Sequence, residues 1–235
     1  MRKLSLLALC LVTLSTTFAQ KNKQKLNRAA DHFMVQLSYD SWLGMPDSIN
    51  QAQSGFSRGA NVYIMLDKPF KNNSKFSIGF GLGISTSNMV FKRMEVDITS
   101  NQPTLPFTSL SGQPYFKKYK LSTTHAEIPL ELRFMKDPSQ PKKTFKAAAG
   151  FKVGTLLKAQ TKTKNLLDAQ GNAIGSYTEK QSSKSYFNST RLAATARIGY
   201  GIFSIHGAYT LNNLFKDGVA PEINTLQIGI TFSGL

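Results

Sequence analysis

Cysteine is almost absent: Cys10 is the only one in 235 residues, and it lies inside an apolar leader. Met1-Arg2-Lys3 is a short basic start, Leu4 to Leu14 is almost purely apolar, and Thr17-Phe18-Ala19 offers small residues before a cut at Gln20. This pattern predicts a cleaved signal peptide over residues 1–19. Leu9 is too large for the small residue that lipoprotein processing needs before its cysteine. The exported chain therefore has no thiol, which excludes disulfides and thiolate chemistry. Long apolar runs are also lacking. No stretch of ~18 apolar residues follows the leader, so a helical membrane span is excluded.

Acidic residues are scarce, with 13 Asp and Glu against 29 Lys and Arg, for a formal charge of +16. An exported chain rarely meets nucleic acid, so anionic lipid headgroups or lipopolysaccharide phosphates are the expected partners. The plainer reading is that the lysines keep loops in water. His32, His125 and His206 are far apart and show no metal-ligand spacing. Neither a G-x-S-x-G elbow nor an H-E-x-x-H helix occurs. No catalytic, cofactor or metal residue is assigned, and an enzyme is not expected.

What is present is alternation. In Phe76-Ser77-Ile78-Gly79-Phe80-Gly81-Leu82-Gly83-Ile84 every second residue is large and apolar, and those between are Gly or Ser. A strand has a side-chain period of two, so this segment has one oily face and one nearly bare face. The same rhythm recurs in Phe33–Tyr39, Ala60–Leu66, Ile128–Phe134, Phe145–Val153, Leu192–Ile198, Phe203–Leu211 and Leu226–Phe232. Eight such strands behind a signal peptide predict an all-β fold: an eight-stranded antiparallel up-and-down transmembrane β-barrel in the outer membrane. Residues 20–31 read as a basic periplasmic tail and 32–235 as the barrel.

Lipid-facing positions on this reading include Ile78, Phe80, Leu82, Ile128, Leu130, Leu132, Phe151, Ile228 and Ile230. The opposite faces carry the charges. Asp40, Glu127, Glu131, Arg133, Lys146, Lys152, Arg191 and Arg197 are expected to form an ion-pair network that fills the lumen, since eight strands leave little bore. Centring the turn before the fifth strand near Ser139-Gln140 sets Glu127 opposite Lys152. Gly79, Gly81 and Gly83 are read as room for large lumen side chains such as Tyr63, Arg191 or Arg197. Their G-x-G-x-G spacing inside a strand is not a phosphate loop.

Connections alternate in length, as barrels with long outer loops and short periplasmic turns require. Long gaps run from Trp42 to Ser57, Lys92 to Gln113, Thr161 to Ser185 and Asn212 to Glu222. Short ones run from Asp67 to Lys75, Lys136 to Thr144, and through a two-residue turn at Tyr200-Gly201. Pro129 inside a strand predicts a bulge or a broken ladder. Tyr39, Trp42, Phe134, Phe145, Tyr209 and Phe232 are the expected interfacial aromatics.

The run Ala126-Glu127-Ile128-Pro129-Leu130-Glu131-Leu132-Arg133 resembles the "L-E-I-P-L" strand of the PorT-like outer-membrane barrel family of Bacteroidetes-type envelopes. Phe145–Gly154, Tyr209–Phe215 and the closing Leu226–Phe232 are similar to that family's later strands. The resemblance implies an eight-stranded barrel inserted by the outer-membrane assembly machinery, which reads a final strand ending in an aromatic. Phe232 is followed here by Ser233-Gly234-Leu235, a departure from that ending. Some members accompany secretion and gliding machinery, and no catalytic residue carries over.

Three further readings stay open at this level. A lipid A-modifying enzyme would need a Ser–His–acid set on the outer surface. A soluble lipocalin-type barrel would turn the oily faces inward. A passive pore would need an open bore.

Overall fold

The computed structural model describes residues 32–53 and 56–234. The expected signal peptide and basic tail lie outside the described residues. Eleven strands are present among the described residues: β1 (Phe33–Leu43), β2 (Arg58–Pro69), β3 (Phe76–Phe91), β4 (Met94–Val96), β5 (Phe107–Ser109), β6 (Tyr115–Met135), β7 (Phe145–Leu167), β8 (Ala173–Ser182), β9 (Thr190–Tyr200), β10 (Phe203–Thr210) and β11 (Asn224–Ser233). A short helix, α1 (Asp47–Ala52), joins β1 to β2.

Eight strands form a closed antiparallel ring in the order β6-β3-β2-β1-β11-β10-β9-β7, with β6 pairing back to β7. Closure removes every sheet edge at membrane depth, where no water can satisfy free backbone groups. The chain is thus the all-β, eight-stranded barrel that its alternation predicts. Val35 pairs with Val62 on one side and Phe232 on the other, so the first and last strands complete the cylinder.

The two strand faces separate cleanly. Ile78, Phe80, Leu82 and Ile84 point outward on β3, while Ser77 and Ser85 are buried. Ile128, Leu130, Leu132, Phe151, Ile228 and Ile230 also stand outward, each about half exposed or more. Together they form an apolar belt around the ring.

Beyond the belt the strands continue. β6 has 21 residues and β7 has 23, about twice the ~9–11 that cross a bilayer. The span from Thr161 to Ser185 is therefore not a plain loop. β7 runs on to Leu167, and β8 folds back on it from Ala173. The lower part of β7 pairs with β9 and the upper part with β8.

The long loops share a core of their own. Trp42, Ile49, Phe91, Met94, Val96, Ile98, Tyr119, Phe187, Phe215 and Ile223 are buried together above the ring. Trp42 is 3% exposed. It meets Phe91 and Phe215 edge-on, with ring centroids 5.5 and 5.7 Å away. This corrects its placement in an aromatic girdle. The strand parity that turns Leu37 and Tyr39 outward turns Trp42 inward, on the same side as Asp40. Trp42→Ala should destabilise this cap by ~3–5 kcal/mol. Limited proteolysis is expected to cut the cap loops of the variant while the belt strands survive.

Pro129 is accommodated without a bulge of its own. Pairing of β3 with β6 lapses at Gly81 and Leu82, then resumes in the same register from Gly83 and Glu127. The missing proline N–H interrupts one ladder, and the other, to β7, runs through Pro129 and Lys152. The bulge sits higher, where Thr124 faces Lys158 and His125 faces Leu156. Leu157 is the extra residue.

Two turns differ from expectation. Phe203 pairs with Tyr200 and Ser204 with Gly199, so the hairpin loop is Gly201-Ile202. Gly201 has φ +62°, and a tight turn with its left-handed residue first places that glycine at the first central position. Between β6 and β7, Glu127 faces Gly154 and Lys152 faces Pro129, a shift of two residues. An even shift keeps every side chain on its face.

Candidate functional site

The inward side chains of β2, β3, β6, β7 and β9 meet along the barrel axis. At mid-height Glu127 is 1% exposed. Its Oε1 lies 3.0 Å from Nη1 of Arg191, and its Oε2 lies 3.3 Å from Nζ of Lys152. The Tyr63 hydroxyl donates to Oε2 at 2.5 Å and accepts from Lys152 Nζ at 3.1 Å. Although the register sets Lys152 diagonal to Glu127, its long stem closes the gap. Charged groups this deep must be paired, because burying a lone ion costs several kcal/mol.

Below this layer Glu131 receives Arg133 Nε at 2.9 Å and Arg197 Nη2 at 3.1 Å. Arg133 Nη1 also lies 3.5 Å from Asp67 Oδ1, which accepts from Ser77 at 2.7 Å. Lys146 is buried at the same end of the ring, sharing a pocket with Asp67, Arg133 and Arg197. Asp67 joins this cluster from the end of β2, although its place near a turn suggested a loop residue. Its parity with Tyr63 and Met65 was the available signal.

Asp40 stands apart from the ion pairs. Its carboxylate accepts from Ser38 at 2.6 Å, from Ser87 and from Gln227 at 3.0 Å. No described cation lies within ion-pair distance of it. The reason is height: Asp40 bonds at the level of Ser87, which pairs with Thr123. That is two inward positions above Glu127, and the cations sit at or below Glu127.

A neutral chain links the layers. Arg191 donates to Ser85, Ser85 to Asn61, Asn61 to Gln36, and Gln36 to Thr231, which bonds His206. Alternation places Asn61 and His206 on the inner face, whereas Gln36, Ser85 and Thr231 were not singled out in the sequence.

The glycines of β3 leave space for these side chains. A Cβ at Gly83 would fall 2.3 Å from the Tyr63 ring, and one at Gly79 would fall 2.3 Å from Arg133 Nε. At Gly81 the nearest side-chain atom is Met65 Sδ. Tyr63 was among the anticipated occupants. Arg133 and Met65 fill the places expected for Arg191 and Arg197.

His125 and His206 are both buried inside the ring. No group of three His, Cys, Asp or Glu residues able to hold a metal occurs among the described residues. Outside the membrane belt, burial beside Asp97 and Glu179 pushes the Glu95 carboxyl above its usual range.

A family model described as "Outer membrane protein beta-barrel domain" matches residues 18–216. No curated protein matches. Among solved structures, Ail of Yersinia pestis in a phospholipid bilayer nanodisc is 14% identical, with a TM-score of 0.32 over 86% of this chain and 98% of that one. The crystal structure of Ail with the heparin analogue sucrose octasulfate is 12% identical, with a TM-score of 0.29 over 85% and 95%. A mutant porin of Rh. blastica is 9% identical, with a TM-score of 0.18 over 85% and 97%.

Proposed function

We propose, on the premise that this chain belongs to the outer membrane protein β-barrel domain family, that it is a non-enzymatic barrel whose lumen is plugged by its own side chains. It stands in the outer membrane. Its role is structural in the envelope, or accessory to a larger assembly. A place in a secretion assembly rests on the resemblance to PorT-like barrels alone. Outer-membrane lipid, lipopolysaccharide and the assembly machinery during insertion are its partners on this reading.

The observation that carries the plug is the layered network on Glu127 and Glu131. Beside it, one cavity near His125 and Arg191 measures about 20 Å³, and another near Lys152 and His206 about 10 Å³. Each has room for about one water, not for a continuous column. Reconstituted in planar bilayers, the protein is expected to give no resolved single-channel steps. Large, regular steps would overturn the plug.

An enzymatic reading finds less support. The two histidines that could serve a lipid-acting site are buried within the ring, away from any acyl chain.

A further inference from the structure

Above the belt, β6, β7 and β8 form a three-stranded sheet with two unlike faces. Tyr119, Leu121, Ala159 and Thr161 turn inward and are buried against the cap. The other face is lysine. Lys120 pairs with Lys162, and Lys162 with Lys180, so three ammonium-bearing residues stand side by side across three strands. The next row sets Lys118 against Lys164, and Lys158 stands two rows below the triple. These rows contain no acidic side chain: their other members are Thr124, Ser122, Gln160, Ser182 and Thr178.

Directly opposed like charges destabilise a sheet. Here the ladder of hydrogen bonds holds them in line. Partial burial, with Lys162 and Arg58 nearby, lowers the pKa of Lys120 below the usual lysine range. Its ammonium donates to the Asn88 amide oxygen at 2.8 Å. A row built this way favours an anionic ligand over further cations.

Position says which anion. Leu157, half exposed at the bulge, is the last apolar outward residue of β7 before Lys158. Lys162 lies five residues farther on, ~16 Å along the strand and ~13 Å above the belt at a tilt of ~40°. A phospholipid headgroup layer is only ~5–7 Å deep. The triple row thus stands beyond it, at the level of phosphates carried on sugars.

We infer that the Lys120–Lys162–Lys180 row, flanked by Lys118, Lys158 and Lys164, binds the phosphate groups of outer-leaflet lipopolysaccharide. This rests on the outer-membrane reading and gives that membrane's glycolipid a defined seat on one side of the barrel. The bonds are charge-assisted, from ammonium donors to phosphate oxygens.

The test compares the wild type with K120Q/K162Q/K180Q in phosphatidylcholine nanodiscs, with and without rough lipopolysaccharide. Phosphatidylglycerol discs form a third arm. In lipopolysaccharide discs the variant should lose glycolipid affinity by ~100-fold, as three interfacial charges imply, and the wild type alone should gain resistance to urea. In phosphatidylcholine alone the variant should be at least as stable as the wild type, because the repulsion is relieved. Equal behaviour of the two proteins in lipopolysaccharide discs would overturn the inference. So would an equal gain from phosphatidylglycerol. If the wild type fails to fold in any disc, the barrel reading itself falls, an outcome distinct from loss of lipid selectivity.

Discussion

Ile228→Lys is expected to block insertion or to cost ~2–4 kcal/mol, measured by urea unfolding in phospholipid vesicles with the heat-modifiable band as readout. Ile228 lies outward on β11 between Leu226 and Ile230, opposite Tyr39 on β1 and Gly207 on β10. It is 53% exposed. In an outer-membrane barrel that surface meets acyl chains, and a lysine there must carry its charge into hydrocarbon or snorkel out of it. The same +1 change made as Glu222→Gln, in the exposed connection before β11, should shift stability by no more than ~0.5 kcal/mol. An unchanged midpoint for Ile228→Lys would place this face away from lipid.

Glu127→Gln is expected to cost ~3–5 kcal/mol in the same assay. The carboxylate is shared by Lys152, Arg191 and the Tyr63 hydroxyl. A neutral amide leaves two buried cations without their counter-charge. Pairing the change with Lys152→Met removes one of those cations. The double variant should therefore lose less than the sum of the single losses, a coupling that a double-mutant cycle reads directly. A loss below ~1 kcal/mol for Glu127→Gln alone would mean that water or a mobile counter-ion already shares the lumen, against the plugged reading.

Much of the barrel is legible in the chain because facing is a local property. Whether Phe80 turns to lipid and Glu131 to the axis depends only on alternation with a period of two, and that survives any even error in register. The hairpin at Gly201-Ile202 and the Glu127–Lys152 diagonal show the limit. Both strand pairs were expected two residues away from where they lie, and neither error moved a side chain to the wrong face. Exact register depends on which residue takes the positive φ in each turn and on how many residues a loop uses. Alternation carries no record of either.

The site was legible in part for the same reason. Glu127, Glu131, Arg133, Lys146, Lys152, Arg191 and Arg197 share the inner face by parity. Which carboxylate meets which cation depends on height along tilted strands. That height separates Asp40 from the cations and brings Asp67 to Arg133. The cap is the larger omission: Phe91, Val96, Phe187 and Phe215 sit in four different loops or strand ends and show no shared rhythm.

By itself, then, the amino-acid order determined the eight strands of the ring, their antiparallel pairing, the oily exterior and the charged interior, because each follows from near-neighbour periodicity and the cost of exposing polar backbone to lipid. The tertiary structure alone decided the ion-pair partners, the sheet of β6, β7 and β8 with its lysine row, and the buried cap around Trp42. Those depend on residues tens of positions apart arriving at one height, and no local pattern encodes that distance.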